Sequence, residues 1–334
     1  MTSATQNVLV TGGAGYVGSV LVPKLLARGH QVRVLDLYLY GEEALAEVRN
    51  HPRLVQIKGD IRDIGLLEKA IPGSDCVLHL ACISNDPSFE LDPALGKSIN
   101  YDAFFGLVDV CRNSGVKRFI YASTSSVYGI KEVENVTEDM TLEPLTDYSK
   151  YKALCEEVLF SRQSPDFVPV VIRSATVCGY SPRLRLDLIV NILTNHAVNN
   201  GRIKVIGGTQ KRPNINIQDI TDLYAQLVEL PDELVAGKVF NAGCENHTVS
   251  QLAKMVREIV GRAEIDVVQE ATDDPRSYHI SSEKILRELG WRPRHTIEDA
   301  IRSLCEAFEG GKVPDPMDDP RYYNVKMLQL ERIA

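Results

Sequence analysis

Short apolar runs alternate with helix-periodic stretches through the first half of the chain. The stretches with helical spacing cover residues 16–28, 66–70, 98–114 and 147–162. The apolar runs are NVLVTGG (7–13), QVRVLDL (31–37), LVQIKGD (54–60), CVLHLAC (76–82), KRFIYAS (117–123) and FVPVVIRSA (167–175). They are nearly continuous in Val, Ile and Leu, which is typical of strands that are covered on both faces. The alternation predicts an α/β fold built on a Rossmann-like, doubly wound parallel sheet.

The pattern loosens after residue 175. Further helices are predicted at 248–260, 281–289 and 297–309. The Pro- and Asp-rich tail at 313–324 is expected to be extended. We expect residues 1–175 to form the cofactor-binding sheet domain, to which segments near 213–242 return. Residues 176–334 are expected to form mainly a smaller C-terminal lobe that binds the substrate.

The composition narrows the possible partners. A net charge of −8 in 334 residues provides no positive field for nucleic acid or for an anionic membrane. No apolar run reaches the roughly 18 residues that a membrane span needs, and the first residues lack the layout of a secretion signal. The seven cysteines are scattered and never spaced Cys-x-x-Cys, which argues against a disulfide framework or a zinc site. We expect a cytoplasmic protein that holds no metal and binds neither nucleic acid nor membrane.

A glycine series follows the first predicted strand, in VLVTGGAGYVGS. Gly12, Gly15 and Gly18 fall between this strand and the next helix, where glycine lets backbone N–H groups approach a pyrophosphate. Asp36 ends the second predicted strand, where a carboxylate can accept hydrogen bonds from the adenosine ribose and repel a 2′-phosphate. Asp60 follows the third strand, where an adenine would lie, although Gly-Asp is also a common turn. These residues predict NAD rather than NADP; the alternative is a tight turn and a loop cap with packing roles.

The stretch TDYSKYKAL places Tyr148 one helical turn before Lys152. Residues four apart on a helix share a face, so the Lys152 ammonium can stabilise a Tyr148 phenolate and make this phenol a credible acid or base. The spacing alone does not identify the catalytic pair, because Tyr322 and Lys326 near the C-terminus have the same Tyr-x-x-x-Lys spacing. The fifth predicted strand ends in YASTSSVYG, which places Thr124 at the carboxyl edge of the sheet. There Thr124 can share a substrate hydroxyl proton with Tyr148, unless the cluster is simply a polar strand end.

The ordered combination of these features resembles the extended short-chain dehydrogenase/reductase family, the NAD-dependent nucleotide-sugar epimerases and dehydratases. The motifs that carry the resemblance span nearly the whole chain: the glycine series, Asp36, GDIRD, HLAC, Asn100, STSSVYG and Tyr148-x-x-x-Lys152. The resemblance implies a catalytic set of Thr124, Tyr148 and Lys152. It also implies NAD contacts from Gly12, Gly15, Tyr16, Val17, Gly18, Asp36, Asp60, Ile61, Leu80, Ala81, Asn100, Tyr148 and Lys152.

The chain departs from the family pattern at three places. Ala103 stands where a glycine is frequent, LAC replaces LAA, and Thr176 replaces an asparagine after the sixth strand. These departures bear on substrate geometry more than on cofactor binding. The resemblance also implies a homodimer, formed through the helices that contain residues 98–114 and 147–162.

The same resemblance implies a nucleotide-diphosphate sugar as the substrate. Arg212 matches an arginine that contacts phosphate in the family, and a guanidinium can pair with phosphate through two hydrogen bonds. Arg183 and Arg185, in SPRLRLDLIVN, are further candidates, with solvated surface charge as the alternative. That stretch resembles a bacterial subgroup acting on nucleotide-activated sugars, including GDP-heptoses. The predicted substrate contacts are Ser84, Thr124, Ser125, Thr176, Asn191, Arg212 and Arg276.

The residues after Thr124 bear on the reaction. Dehydratases of the family usually carry Asp-Glu there, whereas this chain has Ser125 and a second serine, whose hydroxyls cannot serve as that acid/base pair. Epimerisation at C3 or C5 would need a further pair; Cys82 or Cys178 could serve, but small buried cysteines are the commoner explanation. His79, within a strand, is interpreted as a core histidine. We expect C4 epimerisation through a 4-keto sugar; the alternatives are net 4-oxidation, dehydration, or a dinucleotide-sensing binding protein.

Overall fold

The computed structural model of the chain describes residues 5–131, 133, 135–262, 266–270 and 279–331, with the side chains of 266–269 left aside. Its strands are β1 (Asn7–Thr11), β2 (Gln31–Asp36), β3 (Leu54–Lys58), β4 (Cys76–His79), β5 (Arg118–Thr124), β6 (Val168–Ser174), β7 (Thr176–Cys178), β8 (Arg202–Ile206), β9 (Lys211–Asn216), β10 (Lys238–Ala242), β11 (Glu245–Thr248) and β12 (Asp266–Glu270). The α-helices are α1 (Gly18–Ala27), α2 (Ile64–Ala70), α3 (Asp86–Leu91), α4 (Pro93–Lys97), α5 (Ala103–Asn113), α6 (Asp147–Phe160), α7 (Ile189–Asn200), α8 (Ile217–Glu229), α9 (Asp232–Val235), α10 (Val249–Val260), α11 (Glu283–Leu289), α12 (Ile297–Glu309) and α13 (Asn324–Leu330). Short 3₁₀ turns lie at Glu43–Val48, Ser125–Tyr128 and Pro320–Tyr322, and a π-helical turn at Ser98–Asp102.

The central sheet contains seven parallel strands in the order β10-β6-β5-β4-β1-β2-β3. The strand order reverses between β1 and β4, so the carboxyl ends of these two strands flank a crevice. Each of the six apolar runs found in the sequence matches one of the strands β1 to β6; β5 extends one residue beyond its run. The predicted fold class, a doubly wound parallel α/β sheet, is confirmed.

The sheet is buried on both faces, which explains why its strands are continuously apolar. Successive side chains of a strand point to opposite faces, and here Val8 and Val10 join one hydrophobic cluster while Leu9 joins the other. Leu25 of α1 packs in the first cluster and Phe104 of α5 in the second. The helices are therefore fixed against the sheet from both sides, and the loops at its carboxyl edge are held in place.

The C-terminal half builds a second layer beside the sheet. Helices α7, α10 and α12 enclose an apolar cluster with β8, in which Leu193, Leu252 and Ile301 are buried. Strands β7, β9 and β11 form one small sheet, and β8 pairs with β12 in another. After α8, the chain returns to the central sheet through β10, which pairs with β6.

The tail at 313–324 is not extended, contrary to the expectation from its Pro and Asp content. Asp319 accepts the Arg321 N–H at 2.9 Å and so caps a 3₁₀ turn, and the Tyr323 hydroxyl donates to Pro316 O at 2.7 Å. These local hydrogen bonds fold the tail into turns that lead into α13. The final helix is thereby brought against the crevice of the sheet.

Candidate active site

A cleft of about 500 Å³ opens at the carboxyl edge of the central sheet. Residues at or just beyond the carboxyl ends of β1 to β6 line it, as expected of a ligand site in a doubly wound fold. The second layer closes its other side through the segment between β7 and α7, through Arg212 of β9 and through Asn324 of α13. We call this space the central cleft.

Three glycines shape the turn between β1 and α1 at one end of the central cleft. Gly12 has a φ of +74°, and a Cβ there would lie 2.6 Å from the backbone nitrogen of Ala81. Gly18 begins α1, and a Cβ on it would lie 2.5 Å from the Gly13 Cα. Gly15 also lines the central cleft, and a Cβ on it would lie 3.1 Å from Gly12 O, a tight contact. The turn thus exposes backbone at the N-terminus of α1, a setting that favours phosphate.

Asp36 ends β2 and lines the same end of the central cleft. One carboxylate oxygen accepts the Ala14 N–H at 2.9 Å and the other accepts the Tyr38 N–H at 2.8 Å. Burial raises the pKa of Asp36, while these two backbone hydrogen bonds oppose that shift. Each oxygen retains a lone pair that a ribose hydroxyl can use. Arg33 donates instead to two carbonyl oxygens at the end of α2, and so turns away from Asp36.

The loops after β3 and β4 continue the wall of the central cleft. Asp60 forms an ion pair with Arg62 at 2.6 Å; burial opposes the charged form, but the hydrogen bonds from Arg62 prevail and lower the pKa of Asp60. The other predicted cofactor contacts that line this wall and the glycine turn are Tyr16, Val17, Ile61, Leu80 and Ala81. They give the cleft an apolar surface between its polar ends.

Two asparagines that we predicted as ligand contacts form hydrogen bonds with the backbone. Asn100 accepts the Ile83 N–H at 2.8 Å and donates to Ile83 O at 2.9 Å. Asn191 accepts the Gly179 N–H at 2.9 Å and donates to Arg185 O at 2.8 Å. Neither belongs to the described residues that line the central cleft. Both residues are buried, and these hydrogen bonds hold the loops behind the cleft wall.

Helix α6 carries Tyr148 and Lys152 into the central cleft. Thr146 starts this helix through a capping box. Lys152 is 4% exposed, donates from Nζ to Ala122 O at 2.8 Å, and lies 6.0 Å from the centre of the Tyr148 ring. Thr124, at the end of β5, lines the same wall. The fold therefore brings the three predicted catalytic residues together on one side of the cleft.

The second Tyr-x-x-x-Lys match is built differently. Tyr322 ends a 3₁₀ turn, whereas Lys326 lies in α13, so the two do not share one helix. The Lys326 ammonium donates to Met317 O and lies 4.2 Å from the centre of the Tyr323 ring. Neither Tyr322 nor Lys326 is among the described residues that line the central cleft.

Most of the predicted substrate contacts lie together. Arg276 falls outside the described residues. The Ser84 hydroxyl accepts hydrogen bonds from Arg185 at 3.0 Å and from Asn324 at 2.9 Å, so it is already part of a polar network. The predicted substrate contacts that line the central cleft are Ser84, Thr124, Ser125, Thr176 and Arg212.

Arg183 and Arg185 are not solvated surface charges. They are 6% and 7% exposed, and both line the central cleft. Arg185 forms a two-pronged ion pair with Asp187, with N–O distances of 2.9 and 3.2 Å. The Asn324 backbone N–H donates to the same carboxylate. The alternating arginines in SPRLRLD were the signal for this wall, but the contribution of Asn324, from the far C-terminus, has no local sequence signal.

The two cysteines and the histidine that the sequence analysis considered differ in their access to the central cleft. Cys178 is fully buried, its thiol faces Ile215 O, and burial raises its pKa well above the ordinary value. Cys82 lines the central cleft. His79 is buried beside Thr11, whose hydroxyl lies 2.7 Å from its Nδ1, which confirms the interpretation as a core histidine. Of the two cysteines considered for acid/base work, Cys178 is inaccessible.

The residues of the central cleft fit NAD. The glycine turn offers exposed backbone at a helix N-terminus for phosphate, and Asp36 offers acceptors for a ribose. Lys152 and Tyr148 line the same cleft, so an ammonium and a phenol also border this space.

The chain belongs to the NAD dependent epimerase/dehydratase family, whose model matches residues 8–243. It is thus related to enzymes that use NAD in the chemistry of nucleotide sugars.

Several characterised relatives resemble it over most of their length. A UDP-glucose 4-epimerase of Corynebacterium glutamicum is 29% identical over 318 residues, covering 88% of this chain and 94% of that protein. UDP-glucuronic acid decarboxylase 1 of Danio rerio is 27% identical and covers 91% of this chain and 72% of that protein. These relatives catalyse different reactions, so similarity alone leaves the reaction open.

Solved structures share the fold. The dTDP-glucose 4,6-dehydratase DesIV of Streptomyces venezuelae, with NAD bound, has a TM-score of 0.83 at 26% identity, covering 93% of this chain and 99% of its own. A UDP-glucose 4-epimerase of Thermus thermophilus in complex with NAD has a TM-score of 0.80 at 27% identity, covering 91% and 99%. Among the described residues, no helix has both the length and the apolar character needed to cross a bilayer.

Proposed function

We propose that the chain is an NAD-dependent epimerase acting at C4 of a nucleotide-diphosphate sugar. The observation that carries this proposal is the meeting of Tyr148, Lys152 and Thr124 in the cleft that begins at the glycine turn. NAD, when bound, supplies an acceptor for the hydride of the sugar carbon and a donor for its return. The protein residues then have to move one proton and hold the 4-keto sugar between the two hydride steps.

Tyr148 is proposed as the acid/base. A phenol is a poor base at neutral pH because its reference pKa is about 10. The neighbouring Lys152 ammonium favours the phenolate, and the hydrogen bond from Lys152 to Ala122 O holds that ammonium in place. Thr124 can pass the sugar hydroxyl proton towards Tyr148 from the end of β5. For epimerisation, the 4-keto sugar rotates within the cleft so that the hydride returns to the opposite face of C4, and the proton then passes back from Tyr148 to the C4 oxygen.

Dehydration is disfavoured by the residues beside Thr124. Ser125 lines the central cleft, and the Ser126 hydroxyl lies 3.0 Å from the Thr124 hydroxyl. Neither can supply the acid/base pair that loss of water requires. The 4-epimerase relatives support a reaction that ends with the hydride returned to C4.

The substrate diphosphate is proposed to meet Arg212, with Arg276 as a second candidate. Ser84, Ser125 and Thr176, which line the central cleft, are proposed to contact the sugar. The protein is further proposed to act in the cytoplasm as a homodimer through α5 and α6. Its seven cysteines are all free thiols, which suits a reducing compartment.

The test is a panel of UDP-, GDP-, CDP- and dTDP-sugars incubated with the purified chain and NAD, with product stereochemistry followed by NMR. We expect a C4 epimer with little net NADH. Stoichiometric NADH would indicate a 4-dehydrogenase, release of carbon dioxide a decarboxylase, and loss of water a dehydratase. Bound NAD with no product from any sugar would favour a dinucleotide-sensing protein.

The first variant to measure is Tyr148→Phe. Removing the phenolic oxygen should reduce turnover by at least a hundredfold, the order of a general acid/base contribution, while NAD remains bound. Tyr322→Phe is the matched control, since it changes the other Tyr-x-x-x-Lys motif, and should leave turnover within about twofold. Equal losses in the two variants would contradict the assignment of Tyr148.

A further inference from the structure

The guanidinium of Arg183 is a buried cation to which none of the acidic side chains among the described residues is hydrogen-bonded. Its Nη2 donates to the neutral Asn324 Oδ1, and its Cζ lies 3.5 Å from the centre of the Tyr40 ring. Its Nε is buried and has no hydrogen-bond partner within the part of the chain that the structure describes. Arg185, two residues on, differs because Asp187 pairs with it.

The position of Arg183 relative to the cofactor end of the cleft is fixed by a series of hydrogen bonds. The Tyr16 hydroxyl donates to Gly179 O, and the Ser181 hydroxyl donates to Tyr16 O, each at 2.7 Å. The Arg183 backbone N–H reaches the Ser19 hydroxyl in the first turn of α1 at 3.4 Å. The segment from Gly179 to Arg183 therefore runs along the N-terminus of α1.

On its other side, Arg183 faces the end of β2. Tyr40, on which its guanidinium stacks, lies four residues beyond Asp36, and all three residues line the central cleft. The backbone of Arg183 is thus held at the N-terminus of α1, while its guanidinium lies against the segment that follows Asp36. The diphosphate of a dinucleotide lies at this helix N-terminus in a doubly wound fold.

Burial makes this cation costly in the absence of an anion. It lowers the pKa of Arg183 to about 10, although Tyr40, Asp187 and Asp36 oppose that shift. An uncompensated buried charge destabilises a protein, and an anion that binds beside it removes that penalty. A planar guanidinium that lines a cleft is also well suited to two phosphate oxygens.

We propose that Arg183 binds the diphosphate of the dinucleotide cofactor beside the glycine turn. Two neutral groups, the Tyr40 ring and the Asn324 amide, would hold its guanidinium in place for that contact. Arg183 is thereby assigned to the cofactor, whereas Arg212 is left for the substrate. This inference requires NAD binding but is independent of which sugar reaction follows.

The test measures binding in the absence of any sugar. The full chain, freed of nucleotide, is titrated by calorimetry with NAD, ADP-ribose, UDP and GDP, and adenosine is measured as a competitor. Arg183→Met should raise the Kd for NAD and for ADP-ribose by about ten- to one-hundredfold, the order of a charged hydrogen-bonded contact, and leave adenosine unchanged. Arg183→Lys keeps the positive charge but not the planar set of N–H donors, so its affinity for NAD and ADP-ribose should fall less than that of Arg183→Met.

Arg287→Met is the matched control, because the Arg287 side chain is 69% exposed and lies outside the central cleft. It should bind every ligand as the unchanged chain does. An unchanged Kd for NAD in Arg183→Met, or a loss confined to UDP and GDP, would overturn the assignment. If circular dichroism shows that Arg183→Met does not fold, the comparison rests on Arg183→Lys. An unchanged NAD affinity and an unchanged NAD-induced rise in Tm in Arg183→Lys would also overturn the assignment.

Discussion

His79 is a histidine held neutral in the middle of the central sheet. It is 3% exposed and lies against the rings of Phe104, Phe119 and Tyr121. Burial, aided by the nearby Lys152 ammonium, lowers the pKa of His79 to about 3 from its ordinary value of 6.5. The unfolded chain therefore binds a proton at this residue between these two pH values, and the folded chain does not.

The sign of the pH effect follows from this difference. The stability contributed by neutral His79 is fully present above pH 6.5 and is lost progressively as the pH falls towards 3. Between pH 7 and pH 5 the loss amounts to about 2 kcal/mol of the free energy of unfolding. We expect His79→Gln, which cannot titrate, to remove that part of the acid sensitivity. Urea unfolding at pH 7, 6 and 5 measures it.

Thr11→Val provides the matched control for His79→Gln. It removes the hydroxyl that lies 2.7 Å from the His79 ring nitrogen but leaves the histidine in place. It should lower stability by a similar amount at every pH and keep the dependence on pH. Parallel curves for His79→Gln and the unchanged chain would show that His79 is not the group responsible.

At the scale of the elements, the repeating pattern of the sheet was readable from the sequence because it is local. Continuous apolar runs report burial on both faces, and a glycine series after the first of them reports a phosphate turn. The wall formed by Arg183 and Arg185 was readable only in part: the alternating arginines mark the segment, but charge alternation is equally compatible with an exposed strand. Asn324, which accepts a hydrogen bond from the Arg183 guanidinium, is 141 positions away from it.

The same limit applies to side chains that serve the backbone. Asn100 and Asn191 look like ligand contacts in the sequence, because an amide near a site can bind either a ligand or a loop. The partners of each amide bear on this choice, and here they are backbone groups of Ile83, Gly179 and Arg185 together with the Tyr16 hydroxyl. A motif therefore predicts where a residue lies better than it predicts what the residue contacts.

A buried ion pair joins α6 to the central sheet. Glu156, one turn beyond Lys152, pairs with Arg173 of β6 at 2.7 Å, and both are at most 5% exposed. The Ser123 hydroxyl of β5 donates to the same carboxylate, and Arg173 also donates to the Tyr128 hydroxyl. This network fixes the position of α6 and thereby helps to place Tyr148 and Lys152.

We expect Glu156→Gln to lower the free energy of unfolding by about 3–5 kcal/mol, because it leaves the Arg173 charge buried without its counter-ion. Urea unfolding at pH 7 is the measurement. Replacing both partners in one chain, Glu156→Met with Arg173→Met, should cost less than Glu156→Gln alone.

The exposed pair of Lys254 and Glu258 on α10 is the comparison for the buried one. Its side chains are 72% and 63% exposed and the N–O distance is 3.8 Å. Glu258→Gln should change stability by less than about 1 kcal/mol. If Glu156→Gln cost no more than Glu258→Gln, the buried pair would not be what secures α6.

At the scale of the whole molecule, the outer side of α5 and α6 carries partly exposed aromatic rings. Tyr101 lies with its ring centre 5.1 Å from that of Phe105 and 5.2 Å from that of Tyr151. All three side chains are half-buried in the single chain. Aromatic residues are enriched where protein surfaces associate, so this face is where the proposed homodimer would form.

Phe105→Ser tests that assembly, because it removes an apolar ring from the centre of this face. Light scattering after size exclusion should give twice the monomer mass for the unchanged chain at micromolar concentration, and a shift towards the monomer for the variant. Leu286→Ser is the control, since Leu286 is 48% exposed on α11 and should leave the mass unchanged. A Tm measurement separates loss of association from loss of folding. A monomeric mass for the unchanged chain, or the same shift in both variants, would rule out a dimer through α5 and α6. The site would then work within a single chain, because one copy contains every residue assigned to it.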